Sequence, residues 1–474
     1  MRLNRRVIIF RVILAVGVYC GSISGFRAAE LPLSHLLKQQ GFEKMRLGEL
    51  EKLTSSAQNL QALKVLSAAY EQTAYAATNM AEEAVIRTRQ VQDYQLLLVK
   101  NPEWMELLYQ LATQQIALQR LKPERLDVLA EAVKNLNFLI QVATKNKQKD
   151  QLIQGYFQLG RALKHQGDTA SSLGNPQLMQ TKYQHSLLAF THTLNLDAQR
   201  IDAVGEVVLI YRALGDLQSA ISVVRNNLPH LKQQHLAAKS YEMLGVLLQE
   251  ANLNADARTA FNQSITLNKG MMGAYLHLAQ LNQLDGNNQH AALILRQSIE
   301  VNPVFIESYL NLGAILVGLR QNTEARVIFE QALSIKQEEA ISLGMFPSKQ
   351  LYISHTFYKI AAYLAWLYLQ DNQLEKALAV ALKAQQFQAL DAHLADTLGE
   401  IYSRLGNVIE ASAAFNQAIE MKNLPSAHFH LAELLVKQGD IKQAKRHLVA
   451  ALAAPQDFHY RAQAIDLQNS LKKR

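Results

Sequence analysis

The sequence predicts an all-α fold in which antiparallel helix pairs stack into a right-handed superhelix. The 474 residues include only nine prolines and 21 glycines, so few residues interrupt helices. Apolar residues make up 49% of the chain, which is enough for a packed core and excludes a mostly disordered chain. In the second half, small residues recur at intervals close to 34 residues, which indicates a repeated unit of two helices.

The first 27 residues have the layout of a signal peptide or of an N-terminal membrane anchor. A basic start, Met1 to Arg6, precedes the apolar residues 7–26. Arg11 would cost roughly 2.5–3.5 kcal/mol at the centre of a membrane helix, so the shorter stretch from Val12 to Tyr19 fits a signal peptide better. A buried first helix of a cytoplasmic protein is the alternative. Export or anchoring predicts a body in the bacterial periplasm or cell envelope, and the mass of the mature chain distinguishes cleavage from retention.

The formal charge of +8 lies at the two ends of the chain. Residues 1–27 carry five arginines and no acid, the last three residues are all basic, and residues 28–471 sum to zero. A neutral body offers no broad surface for phosphate, which argues against nucleic-acid binding. The single cysteine, Cys20, excludes a disulfide framework and cysteine-ligated zinc.

The region before the clear repeats is helical in composition but irregular. Residues 28–100 do not follow the period and are predicted to form a divergent helical cap. Residues 101–237 are predicted to form degenerate helix pairs. One of them, with Leu159-Gly160 and Phe190, fits the repeat only if its turn is lengthened by 14 residues, and that added stretch, 167–180, is predicted to be a surface loop.

Residues 238–455 contain six repeat units. The small residues that mark them, at steps of 34, 34, 52, 34 and 33, are Gly245, Ala279, Gly313, Ala365, Gly399 and Ala432. An alanine follows each of them twelve positions later: Ala257, Ala291, Ala325, Ala377, Ala411 and Ala444. Such small side chains let the two helices of a pair approach closely.

Three further features complete the repeat region. The turns within the pairs contain residues that readily adopt the left-handed conformation, namely Asn252, Gly286, Asn372, Gly406 and Gly439. The step of 52 reflects an insertion around residues 336–354, which is expected to extend one helix. Residues 456–474 are predicted to form a C-terminal capping helix that covers the last apolar face.

This pattern resembles the tetratricopeptide repeat (TPR) family. Tyr241, Tyr275 and Tyr309 stand where the family has its first large aromatic residue, and Tyr368 and Tyr402 stand where it has the second. The resemblance implies an α-solenoid whose first helices line a concave groove that receives a peptide. Some members grip a terminal carboxylate with Lys, Asn and Arg. Where that set would lie, this chain has Glu242, Val246 and Gln249 in one unit and Leu276, Gln280 and Gln283 in the next, so a chaperone-tail ligand is not expected.

The groove positions lie three residues before, one after and four after each small residue. They give the candidate partner-binding residues Leu276, Gln280, Leu310, Val317, Trp366, Leu369, Asp396, Glu400, Phe429 and Glu433. The middle of this set is apolar and its end is acidic, which favours a partner segment with aliphatic anchors and basic flanks. The alternative is that the insertion or neighbouring helices cover these residues.

The sequence contains no recognisable catalytic constellation. It has no glycine-rich phosphate loop, no G-x-S-x-G elbow and no H-E-x-x-H pair. We therefore predict no catalytic residue, cofactor or metal, and expect a non-enzymatic scaffold or assembly factor that binds a protein or peptide. Two alternatives stay open: a targeting or regulatory part of an envelope enzyme system, acting on transferase or carbohydrate chemistry, and a self-associating array of undefined oligomeric state.

Overall fold

A computed structural model describes residues 46, 48–50, 52, 60–75, 77, 80–123, 125–340, 349–454 and 458–472. Regular structure in this part of the chain is helical, without strands. The predicted signal or anchor segment, residues 1–27, lies outside the described residues. Among the helices that the structure describes, none is both long and apolar enough to cross a bilayer.

The chain divides into two compact units, Met1–Leu236 and Ala237–Arg474. The α-helices of the first unit are α1 (Leu60–Tyr75), α2 (Met80–Lys100), α3 (Met105–Leu121), α4 (Leu126–Lys145), α5 (Lys149–Ser172), α6 (Pro176–Leu196), α7 (Ile201–Ala213) and α8 (Leu217–Asn227). A short 3-10 helix, Leu228–His230, follows α8. Consecutive helices contact one another along this series, and α3 also contacts α5.

The second unit consists of six helix pairs and one terminal helix. The pairs are α9 (Gln234–Glu250) with α10 (Asn254–Leu267), α11 (Met272–Leu284) with α12 (Asn288–Val301), α13 (Ile306–Gly318) with α14 (Asn322–Ser334), α15 (Lys349–Gln370) with α16 (Leu374–Phe387), α17 (Ala392–Leu405) with α18 (Val408–Lys422), and α19 (Pro425–Gln438) with α20 (Ile441–Leu452). The terminal helix is α21 (Arg461–Lys472). These pairs coincide with the six units that the period predicts.

Close contact between the two helices of a pair explains why the period depends on small residues. A Cβ atom added to Gly313 on α13 would lie 2.3 Å from the ring of Phe329 on α14. Gly245 and Gly399 meet the rings of Phe261 and Phe415 in the same way. The six alanines twelve positions after the small residues are all fully buried: Ala257, Ala291, Ala325, Ala377, Ala411 and Ala444.

The sizes of the facing residues are matched within each pair. The residue sixteen positions after the small residue is phenylalanine when the small residue is glycine, and leucine or alanine when it is alanine. The pairs are Gly245 and Phe261, Ala279 and Leu295, Gly313 and Phe329, Ala365 and Ala381, Gly399 and Phe415, and Ala432 and Leu448. Since cores are packed at the density of organic crystals, a large ring requires the loss of the opposing Cβ.

The turns within the pairs adopt the left-handed conformation at the predicted positions. Asn252, Gly286, Asn372, Gly406 and Gly439 all have positive φ. Arg320 occupies this position in the third pair with φ of 61°, although arginine rarely adopts it. The sequence does not predict this turn position, because Arg320 is neither glycine nor asparagine, the residue types found at the other turns.

The surface loop predicted at residues 167–180 is wrong. Helix α5 continues to Ser172 and α6 begins at Pro176, so only residues 173–175 form the turn. The long hairpin is stabilised along its length, because Gly167 approaches the ring of Tyr183 as closely as Gly160 approaches Phe190. Gly167 and Tyr183 are sixteen residues apart, the same interval as in the repeats. The sequence did not predict this second glycine–aromatic contact, because the stretch was interpreted as a lengthened turn.

The helix after the insertion is longer than its counterparts in the other repeats. α15 begins sixteen residues before Ala365, whereas α13 begins seven residues before Gly313. Ile353 and Phe357 from the added turns are buried against Ile306 of the preceding repeat. Residues 341–348 of the insertion lie outside the described part of the chain.

The terminal helix packs on the last repeat. Ala464 and Leu471 of α21 are buried in one cluster with Phe429 and Leu448. Lys472 lies in the last turn, where a positive charge is favourable to the helix dipole.

Candidate functional site

The first helices of the second unit form one surface, which we call the first-helix face. Its side chains stand three residues before, one after and four after the small residue of each repeat. The small residues point toward the second helices, and at 3.6 residues per turn these flanking positions lie roughly 40–100° around the helix from them, on the adjoining side of each first helix. Successive first helices, from α13 to α19, also contact one another.

The middle of the first-helix face is apolar and partly accessible. Leu276, Leu310, Val317 and Trp366 are all half-buried, and they lie on the three successive first helices α11, α13 and α15. Gln280 is exposed, and its amide oxygen accepts a hydrogen bond from Gln249 of the preceding repeat at 3.4 Å. These residues give the first-helix face an apolar middle, with Gln280 as a polar neighbour.

Three of the residues predicted for this surface are not accessible. Asp396 is 8% exposed and pairs with His430. Leu369 is 0% exposed, and the Arg404 side chain from the next first helix donates to its carbonyl oxygen at 3.1 Å. Phe429 is 3% exposed, because the Tyr460 ring stacks on it with the ring centroids 5.5 Å apart. All three are buried, and the prediction that they are available to a partner is wrong.

The end of the face on α17 and α19 is acidic and contains a buried histidine. Nδ1 of His430 lies 2.8 Å from Oδ1 of Asp396. Nε2 of His430 lies 3.8 Å from a carboxylate oxygen of Glu400. Glu400 also forms an ion pair with Arg404. Glu433 is exposed beside this group, which we call the His430 cluster.

The charges in the His430 cluster act on one another strongly because the site is poorly hydrated. Burial acts to lower the pKa of His430, but the hydrogen bond and charge of Asp396 outweigh it and raise the pKa above its usual value. Three carboxylates, those of Asp396, Glu400 and Glu433, act on His430, and the cations of Arg404 and Lys437 act on Glu433.

The sequence pattern predicts no role for His430 or Tyr460. His430 stands two residues before Ala432 on a first helix, next to the repeat that carries Asp396. That relation between adjacent repeats is the signal that could have identified the pair. Tyr460 contacts the His430 ring edge-on at 4.6 Å, and only the chain path after α20 brings it there.

Other histidines have structural contacts. His428 points away from His430, as the spacing of two residues predicts, and its Nδ1 lies 2.8 Å from Nδ1 of His447. His277 stacks on Phe261 with the ring planes 2° apart. Within the described residues, no group of three or more His, Cys, Asp or Glu side chains is placed to hold a metal ion.

The stacked helix pairs and the face along their first helices define an α-solenoid of the kind that binds other proteins. Two family models described as tetratricopeptide repeat match the chain, one at residues 305–340 and one at 392–423. These ranges cover the α13–α14 and α17–α18 pairs. These two ranges of the chain are tetratricopeptide repeats, as the sequence pattern predicted, and repeats of this kind support binding of a protein or peptide partner.

Several solved structures are similar to the chain at low identity. A tetratricopeptide repeat protein from Parabacteroides merdae ATCC 43184 is 13% identical over 57% of this chain and 99% of that one, with a TM-score of 0.38. The Cut9–Hcn1 hetero-tetramer of APC/C gives 16% identity over 93% and 98%, with a TM-score of 0.38. YrrB, a TPR protein with an unusual peptide-binding site, gives 19% over 45% and 99%, with a TM-score of 0.34. No curated protein matches the chain.

Proposed function

We propose that this protein is a non-enzymatic scaffold or assembly factor, delivered to or anchored in a membrane by residues 1–27, and that the first-helix face is its partner-binding groove. The observation that carries the groove assignment is the row of half-buried apolar side chains on α11, α13 and α15. Trp366 is the largest of them, and tryptophan is enriched among the residues that contribute most to binding energy.

The apolar residues of the row and the acidic cluster at one end of it specify the partner segment. Leu276, Leu310 and Trp366 would receive aliphatic or aromatic side chains, since apolar contact in a preformed site costs little reorganisation. The three carboxylates of the His430 cluster lie at one end, and they favour lysine or arginine there. The segment we propose therefore has apolar anchors followed or preceded by a basic residue.

Selection from a displayed peptide library tests this proposal. The detergent-solubilised full chain is immobilised, and we expect it to enrich segments with apolar anchors and a basic flank. The double variant Leu310→Asp with Trp366→Asp should bind those peptides at least about a hundredfold more weakly, because two carboxylates would then be desolvated at the centre of the interface.

The matched control is Val327→Asp with Leu382→Asp. These two exposed residues lie on α14 and α16, the second helices of the same repeats. The control should bind the peptides as the unmodified chain does, and circular dichroism should show equal helix content in both variants. Equal binding of the peptides by the Leu310 and Trp366 variant would contradict the proposal.

A further inference from the structure

The first unit has a cluster of cations on its own first helices, which we call the cationic cluster. It consists of Arg120 on α3 together with Arg161 and Lys164 on α5. Arg161 and Lys164 stand one and four residues after Gly160, the positions that define the first-helix face in the second unit. The cluster therefore lies on the corresponding face of the first unit.

Two carboxylates accompany the three cations, and both are already engaged. Nζ of Lys164 lies 3.0 Å from Oδ2 of Asp168, whose other oxygen accepts a hydrogen bond from the Tyr183 hydroxyl at 2.7 Å. Nε of Arg161 lies 3.6 Å from Oε1 of Glu206, and Nη1 of Arg161 donates to the Gln158 side chain at 3.2 Å. One positive charge is left uncompensated.

Arg120 carries that excess charge. Its Nε donates to Nε2 of His165 at 3.0 Å, and no carboxylate in the described part of the chain forms an ion pair with it. Its two terminal amino groups have no hydrogen-bond partner among the same residues. Burial and the charge of Arg120 lower the pKa of His165 to about 4, so at neutral pH the imidazole accepts the Nε proton and adds no charge.

The surroundings of the cluster suit a peptide. The Phe157 ring lies beside Arg161, with the Arg161 guanidinium carbon 6.0 Å from the ring centroid and that of Arg200 at 4.3 Å. Gln158 is buried and donates to the Tyr109 hydroxyl at 3.3 Å. The half-buried Phe157 ring can contact an apolar side chain next to the charge, and the buried Gln158 amide holds Arg161 in place.

We propose that Arg120, Arg161 and Lys164 form a second binding site for an acidic segment of a protein partner. A carboxylate of that segment forms an ion pair with the guanidinium of Arg120. A single excess charge matches one carboxylate, whereas a phosphate group would bring nearly two negative charges. The planar guanidinium also offers two parallel donors, which is the geometry that a carboxylate accepts. This site goes beyond the groove of the second unit and does not depend on it.

Fluorescence anisotropy with the full chain tests this site. The probe is a labelled peptide of alternating Glu and Gly residues, and its Gln-for-Glu counterpart is the neutral reference. We expect saturable binding of the acidic peptide and binding of the neutral peptide weaker by at least about tenfold. Arg120→Gln with Arg161→Gln should weaken binding of the acidic peptide by a similar factor. Arg120→Gln alone should give part of the same loss. This single variant keeps the ion pair between Arg161 and Glu206.

Three comparisons make the result decisive. Lys134→Gln with Lys145→Gln removes two exposed charges from α4 and should leave the affinity within about twofold. The Leu310→Asp and Trp366→Asp variant should bind the acidic peptide normally, so failure of this site and failure of the groove are distinguishable. Equal losses in the α4 control would overturn the site, and tighter binding of a phosphoserine peptide would overturn its assignment to carboxylates.

Discussion

Phe329→Ala is expected to destabilise the centre of the second unit by about 3–5 kcal/mol. The Phe329 side chain is 0% exposed and fills the space above Gly313. Its ring also stacks on Tyr363 of α15, with the centroids 5.5 Å apart, so one side chain connects three helices. Truncation removes the buried ring and leaves a cavity that glycine on the facing helix cannot fill.

Hydrogen exchange followed by mass spectrometry is the suitable measurement for Phe329→Ala. Repeat arrays often unfold in parts, so a single denaturation midpoint does not locate the change. Amides in α13, α14 and α15 should exchange faster by a factor of at least about a hundred. Val327→Ala, two residues away and 43% exposed, is the control and should change exchange little. Protection equal to that of the control in Phe329→Ala would contradict the packing described for this repeat.

Detachment of the terminal helix α21 is expected to expose the apolar end of the array. Ala464→Asp with Leu471→Asp places two charges against Phe429 and Leu448, at a cost of several kcal/mol. Because α19 and α20 would then have an uncovered apolar face, we expect binding of a hydrophobic dye and self-association, measured by light scattering. Exchange of the α19 and α20 amides should also increase.

Ala462→Asp with Asn469→Asp is the matched control for the terminal helix. Both residues are exposed on α21, so this variant adds the same charge to the opposite side of the helix. It should have the same light-scattering mass as the unmodified chain, and it should bind no additional dye. Equal behaviour of the two variants would show that α21 does not cover the last repeat.

The sequence predicts the six helix pairs well because their packing depends on pairs of residues within each repeat. A glycine or alanine and the alanine twelve positions later are both visible in one dimension, and so are most of the left-handed turn residues. The loop predicted at residues 167–180 is wrong because this hairpin is longer than those of the repeats. There a single extra contact between Gly167 and Tyr183 replaces the predicted loop.

The candidate site is less predictable because it depends on contacts between repeats. The spacing predicts Leu310 and Trp366 for this surface, and both side chains are half-buried. It does not show that Tyr460, more than twenty residues away along the chain, covers Phe429. It also does not show that the Arg404 side chain reaches the Leu369 carbonyl from the next repeat, or that His430 approaches Asp396. Such contacts arise from chain segments that are distant in sequence, and of these only the pairing of His430 with Asp396 has a signal in the spacing between adjacent repeats.

A double-mutant cycle at Gly313 and Phe329 tests most directly whether matched side-chain sizes determine the helix pairing. Gly313→Ala alone should destabilise the unit by about 1–3 kcal/mol because its Cβ would collide with the Phe329 ring. Adding Phe329→Leu reproduces the native combination of Ala279 with Leu295, so the double variant should recover at least about 1 kcal/mol relative to the sum of the single changes. Strictly additive free energies would contradict the account.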